Sequence, residues 1–349
     1  VSDPIKWFSQ NPTKSPEDAL VVFPNADLWV LRQARRDALR NVGTQTDDPK
    51  KVSQVIGADL TPTARAIVRS GALRPITVSV ESAGRPLKPT LKRGEKTTLI
   101  VSDLHAGKDS HDPHALDLVI QVGQAAGVDE VIWNGDMYDC HSMSSYTPNA
   151  DKPIRWAEER AMAIVPITHL YQAFVQRPQR FHYGNHCVRP NKWISKHAPQ
   201  LQGLFDLETL LGLDNFDFTY PEDNCTVVGG NVLVKHGIKV SRNAGYSVTG
   251  EVADHGMSVI MGHVHRKAYT SVYKTQQRLN GASHLFGIEG GCLCNLRADY
   301  LEAEQTANWQ HGSVILTEYS GIEMPVPEFI EIHGRHAFFR GQMFTSRVL

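Results

Sequence analysis

Five short apolar runs, each ending in residues that bind metal ions well, constrain this chain more than any other feature. TTLIVS (97–102) leads into Asp103-Leu104-His105, and EVIWN (130–134) leads into Gly135-Asp136-Met137-Tyr138-Asp139. RFHY (180–183) leads into Gly184-Asn185-His186, NVLVK (231–235) into His236-Gly237, and SVIM (258–261) into Gly262-His263-Val264-His265. Segments with helical apolar spacing lie between the first three, at 113–126 and 155–175. That alternation predicts βαβ units and a largely parallel sheet. Ligands of open α/β sheets gather at the carboxyl ends of strands. Glycine at such an end lets the backbone turn sharply and approach a ligand closely. Each fragment alone reads as a turn Asp or a surface His. Five in succession, each after a strand, point to one shared site.

The donor types narrow the occupant. Asp103, His105, Asp136, Asn185, His236, His263 and His265 offer a mixture of oxygen and imidazole nitrogen. This set suits two divalent ions, Mn²⁺ first with Fe²⁺, Ni²⁺ or Zn²⁺ as alternatives, rather than Ca²⁺. A two-oxygen carboxylate can bridge ions roughly 3.5–4 Å apart, the spacing used in phosphoester hydrolysis.

The blocks DLH, GDMYD, GNH, KHG and GHVH, at these spacings, resemble those of the calcineurin-like metallophosphoesterases over about residues 97–320. The resemblance implies an α/β fold, a two-sheet β-sandwich flanked by helices, with the metals at one edge. Carried over by position, it implies Asp103, His105 and His265 on the first ion. It implies Asn185, His236 and His263 on the second, with Asp136 bridging both. A water between the ions would be acidified toward neutrality and attack phosphorus in line with the departing oxygen. His186 would face that leaving-group oxygen as proton donor, oriented by Asp139. The chain departs from the family where an acid commonly follows GNH, because Cys187 stands there. Another residue must then anchor that loop. Arg189, two residues on, is a candidate contact for substrate phosphate.

The second block also bears on substrate. Phosphoprotein phosphatases of this superfamily continue it to GDxxDRG, whereas Cys140-His141 follows Asp139 here. The resemblance therefore leans to the phosphodiesterase and nuclease branches, with nucleic acid or a nucleotide as substrate. A phosphomonoesterase acting on a small metabolite, or a non-catalytic metal-binding scaffold, are the alternatives.

Charge adds one consideration. The 349 residues carry a formal charge of −1, which argues against a strongly basic nucleic-acid coat. Residues 1–95, however, hold 15 Lys/Arg against 10 Asp/Glu. Helical patterns at 26–41, 49–57 and 62–70, the last two with a helix-turn-helix look, make residues 1–80 a basic helical region that could contact nucleic acid. The expected organisation continues with a linker at 81–96, a catalytic domain at 97–325 and a C-terminal tail at 326–349. Apolar runs fall short of the ~18 residues of a membrane span, and Val1–Lys14 lacks a signal-like stretch. Five cysteines without a CxxC pair suggest reduced thiols and a cytoplasmic setting. Cys292 and Cys294, two apart, read as small buried residues in preference to a soft-metal site.

Overall fold

The computed structural model describes residues 95–107, 110–145, 154–276, 281–296 and 308–348, with a few positions between 6 and 23. The helical patterns expected at 26–41, 49–57 and 62–70, and all but the end of the linker, lie outside the described residues. The chain divides into two compact units, Val1–Pro75 with Glu208–Asp217, and Ile76–Leu207 with Phe218–Leu349. The five motif blocks all belong to the second unit, described here.

Among the described residues, twelve strands form two sheets. The larger contains β1 (Lys96–Val101), β2 (Glu130–Asn134), β3 (Gln179–His182), β9 (Gly312–Glu318), β10 (Val326–His333), β11 (His336–Phe339) and β12 (Gln342–Thr345), in the order β12-β11-β10-β9-β1-β2-β3. The smaller contains β4 (Cys225–Val228), β5 (Val232–Lys235), β6 (Ser258–Met261), β7 (Lys267–Gln276) and β8 (Gly281–Gly290), in the order β4-β5-β6-β8-β7.

Side-chain alternation shows why the sheets stack. Ile100, Ile132, Val314 and Leu316 of the larger sheet pack with Val228, Val232, Val234, Ile260, Phe286 and Ile288 of the smaller. The intervening residues Leu233, Val259, Met261 and Leu285 face the opposite way, against Val248 and Val252 of helix α4 (Tyr246–His255). Strands apolar on both faces must be covered on both, and here a sheet covers one face and a helix the other. On the larger sheet, helix α1 (Pro113–Ala126) packs against β9 to β12. Asp112 caps its start by accepting from the His114 and Ala115 amides, Pro113 opens the first turn, and Gly127 closes it at φ +66°. Helix α2 (Trp156–Ala173) follows β2, and helix α3 (Arg189–His197) follows β3.

The expected two-sheet sandwich flanked by helices is therefore present, but two expectations change. The sheets are mixed, since only β1-β2-β3 and β5-β6-β8 run parallel while β9 to β12 return antiparallel. The segment set apart as a C-terminal tail instead supplies β10 to β12. Its alternation buries Ile330, Ile332, Ala337, Phe339 and Phe344, and Arg347 ties it back to buried Asp117 of α1 at 2.7 Å. Among the described residues, no helix is long and apolar enough to cross a membrane.

A buried polar strut joins the sheets beneath the motif blocks. His182 of β3 bonds Asn134 Oδ1 of β2 at 3.0 Å and Thr226 Oγ1 of β4 at 2.9 Å, while Asn134 Nδ2 donates to the Lys235 carbonyl of β5 at 2.9 Å. Burial, helped by the charge of Arg180, pushes His182 down to about 4 from its ordinary 6.5. Between those values the unfolded chain binds the proton and the folded chain does not, so stability rises with pH across that window. We expect His182 to lower stability by up to ~3 kcal/mol as pH falls from 6.5 to 4. Urea unfolding of wild type and His182→Gln across this range checks it, and equal pH dependence in both would contradict it.

Candidate metal centre

The blocks meet at one end of the sandwich. Asp103 and His105 follow β1, Asp136 follows β2, Asn185 follows β3, His236 follows β5, and His263 and His265 follow β6. Asp103 Oδ1 lies 3.1 Å from His265 Nε2 and 3.8 Å from His105 Nε2. The two imidazole Nε2 atoms are 3.0 Å apart. On the other side Asp136 Oδ2 lies 3.1 Å from His236 Nε2, and Asp136, His236 and His263 form a second cluster with ligand atoms within 4.8 Å of one another. All seven residues nominated from the sequence are thus placed at one end of the sandwich. Asn185 is present there through its buried Oδ1.

Two backbone devices produce this convergence. The first is strain. Eight non-glycine residues among those described have positive φ, and five are candidate ligands: Asp103 (+53°), His105 (+49°), Asp136 (+48°), His263 (+70°) and His265 (+58°). Such left-handed backbone is costly for side chains other than Asn, Asp and Gly, and it concentrates at functional sites. The second is close approach. A Cβ on Gly184 would collide with the Asp136 carboxylate, and one on Gly262 with that of Asp103. Beyond each glycine an amide donates to the same carboxylate: His186 N to Asp136 Oδ1 at 2.7 Å, and His263 N to Asp103 Oδ2 at 3.0 Å. Each carboxylate is therefore seated on a bare stretch of the neighbouring loop and held by its N–H.

Protonation follows from the partners. The His236 Nδ1 proton goes to the Asn134 carbonyl at 2.9 Å, because a carbonyl can only accept. Its Nε2 lone pair is then directed at the centre, where this buried atom has no hydrogen-bond partner despite the nearby Asp136. Asn185 Oδ1 is likewise buried without a partner. Orphaned acceptors, facing imidazoles and two carboxylates together fit cations as occupants. Without cations, protons take their place. Burial alone would lower His105, but Asp103 and Asp139 outweigh it and carry His105 to about 10. Against the same burial cost, Asp136 carries His236 to about 9. Both Asp103 and Asp136 resist burial and are held well below the usual carboxylate range by the surrounding histidines.

Beside the centre, Asp139 Oδ1 lies 3.0 Å from His186 Nδ1 and 3.3 Å from His105 Nδ1. The carboxylate can only accept, so each Nδ1 donates. Arg189 donates to His186 Nε2 at 3.0 Å and to the Asp139 carbonyl at 2.9 Å. Burial and the neighbouring His105 hold His186 below its ordinary value. The loop anchor missing at Cys187 is therefore found at Arg189, which cross-links the loops of the second and third blocks. Cys187 itself is fully buried, and burial raises its thiol to about 11. Sequence reasoning also passed over Asn134 and Glu159, and read Cys294 only as a small buried residue. Glu159 of α2 accepts the Ser142 amide at 2.8 Å and so pins the loop after Asp139. Cys294 Sγ lies 3.8 Å from His265 Nδ1, within a buried cluster with Cys292.

No family model matches the chain. The Gene 54 protein of Mycobacterium phage D29 is 30% identical over 238 residues, covering 64% of this chain and 89% of the phage protein. The chain belongs to the family of this phage protein. The Gene 54 protein of Mycobacterium phage L5 is 29% identical over 240 residues, with the same coverage. The motif blocks, seated at the strand ends of a two-sheet frame, resemble those of the calcineurin-like metallophosphoesterases. Among solved structures, a purple acid phosphatase from yellow lupin seeds is 15% identical with TM-score 0.36, covering 73% of this chain. The chain spans about half of that phosphatase, 53% of its length. A phosphoesterase from E. coli is 12% identical with TM-score 0.32, covering 68% of this chain and all of the other. A dimetal phosphatase from Danio rerio is 11% identical with TM-score 0.35, covering 64% and 93%. These scores are low, and the fold rests on the strand order given above.

Metal loading should displace protons, because His105 and His236 hold theirs to about 10 and about 9 in the metal-free site. At neutral pH roughly two protons should leave as the site fills, and apparent affinity should rise with pH. Titration calorimetry with Mn²⁺ in buffers of different ionisation enthalpy counts them, and a count of zero would contradict the assignment.

Proposed function

We propose that this protein is a dinuclear metal-dependent phosphoesterase that hydrolyses phosphodiester bonds, with nucleic acid or a nucleotide as substrate. The observation carrying this reading is the pair of acid–imidazole clusters built around Asp103 and Asp136, with orphaned acceptors in the second. Asp103, His105 and His265 would hold one ion, Asn185, His236 and His263 the other, with Asp136 between them. When bound, divalent ions of the Mn²⁺, Fe²⁺, Ni²⁺ or Zn²⁺ kind supply Lewis acidity toward phosphoryl oxygen and lower the pKa of water.

The remaining chemistry belongs to the chain. Asp139 orients His186 through Nδ1, leaving Nε2 as the atom that meets a leaving-group oxygen. Arg189 donates to that Nε2 in the resting arrangement, so a bound substrate oxygen would compete with Nε2 for the guanidinium N–H. The pair therefore offers a guanidinium or, once His186 is protonated at Nε2, an imidazolium to developing negative charge. Cys140 and His141 after Asp139, instead of Arg-Gly, favour a diester over a phosphoprotein.

The test uses bis(p-nitrophenyl) phosphate. EDTA should abolish its hydrolysis and Mn²⁺ should restore it, while Asp136→Ala should lose at least ~100-fold. His186→Gln should lose ~100-fold on a diester with a poor alkyl leaving group, and much less on the nitrophenyl diester, whose leaving group needs no proton. Full activity of Asp136→Ala would exclude the reading. Faster turnover of p-nitrophenyl phosphate than of the diester would reassign the protein as a phosphomonoesterase.

A further inference from the structure

We propose that α3 is a docking surface for an unpaired polynucleotide strand, feeding it toward the phosphoester site; the direction of feeding rests on the phosphoesterase reading above. Arg189, Lys192, Trp193, Lys196 and His197 fall at i, i+3, i+4, i+7 and i+8, which is one face of a helix. From 181 to 205 the chain carries three Lys/Arg and no Asp or Glu. Among the described residues, neither Lys192 nor Lys196 has a carboxylate partner, although surface helices ordinarily mix signs. Lys192 and Lys196 are also four apart, a like-charge spacing that weakens a helix by itself. A ligand that neutralises both removes that penalty.

The stripe is aromatic as well as cationic. Trp193 is 37% exposed, and its ring lies over that of His197 with centroids 4.8 Å apart and planes tilted 32°. Apart from Pro190, no residue of α3 is buried, so the helix presents this face to solvent. Its inner end is fixed at the site, since the Arg189 guanidinium reaches His186 and Asp139. From Arg189 to His197 the stripe extends about 12 Å outward. Cations spaced along a flat aromatic surface match a strand that presents phosphates and base faces together. A duplex keeps its base faces stacked inside, so Trp193 has nothing to stack on there. That favours the unpaired strand.

The experiment measures fluorescence anisotropy of labelled oligo(dT) and oligo(rU) with the full chain in EDTA, so that binding is read without hydrolysis. Trp193→Ala should weaken binding ~10-fold. The double variant Lys192→Glu/Lys196→Glu should weaken it more than ~10-fold and reduce the salt slope by about 1.4, two phosphate contacts' worth. Circular-dichroism melting should be unchanged in both variants, because the altered side chains are exposed. Duplex DNA and phosphatidylserine vesicles should bind more weakly, without dependence on Trp193. Whichever of the two oligonucleotides binds tighter with this dependence identifies the strand as DNA or RNA. Wild-type oligonucleotide affinity in Trp193→Ala, or equal losses on duplex or vesicles, would overturn the proposal. Because EDTA stops the chemistry, failure here leaves the diester assay standing, and failure of that assay leaves this result standing.

Discussion

Two carboxylates, Asp103 and Asp136, are fully buried at the ends of neighbouring parallel strands, and much of the surrounding structure serves to make that tolerable. A buried anion is costly unless it is paired and hydrogen-bonded. Here each receives a backbone N–H from an adjoining loop and faces imidazoles from the β5 and β6 loops. Taking the imidazoles away would leave unpaired charge in the interior, and taking the carboxylates away would leave histidines crowded nitrogen to nitrogen. The two sets are stable only together, whether shared protons or bound cations complete the neutralisation. A site able to hold cations is thus a consequence of how the strands end.

The strain at those ends has the same origin. Five candidate-ligand residues with left-handed backbone would cost a few kcal/mol in isolation. They persist because interlocking backbone bonds fix the loops: Asp103 N to the Gly135 carbonyl at 3.0 Å, His105 N to Asp136 at 2.9 Å, and Gly262 N to His236 at 3.1 Å. Each loop is held by the next one round the centre. The polar strut of His182, Asn134 and Thr226 extends that linkage into the space between the sheets, and the Asn134 carbonyl fixes the His236 ring. The site and the core therefore share residues.

Much of this was legible in the sequence, and the unread parts have physical reasons. Strand ends were legible because apolar runs that stop at Gly, Asp or His combine two independent signals. Helix α1 was legible through its helical apolar spacing. The direction of β9 was not, because an apolar run carries no mark of parallel or antiparallel pairing. The long strands β7 and β8 escaped because KAYTSVYKTQ mixes Lys and Thr with its apolar residues. Helices α3 and α4 escaped for a related reason, since α3 buries little and α4 buries a short apolar face. Arg189 was singled out for a phosphate, but its nearest partners are His186 and Asp139. Sequence spacing shows which residues are near one another, not which donor fills which acceptor.

The position of β1 has a consequence for how the chain reaches this structure. β1 carries Asp103 and lies between β2, which follows closely in sequence, and β9, whose residues Val314 and Leu316 pair with Ile100 and Thr98. More than 200 residues separate those partners. During synthesis β1 emerges long before β9, and until then one of its edges is bare. Pairings of such long sequence separation are slow to form, because loop-closure entropy must be met before the contacts stabilise anything. Assembly of the end that gathers the candidate ligands is then governed by β9, a strand that lies beyond all seven of them in the sequence.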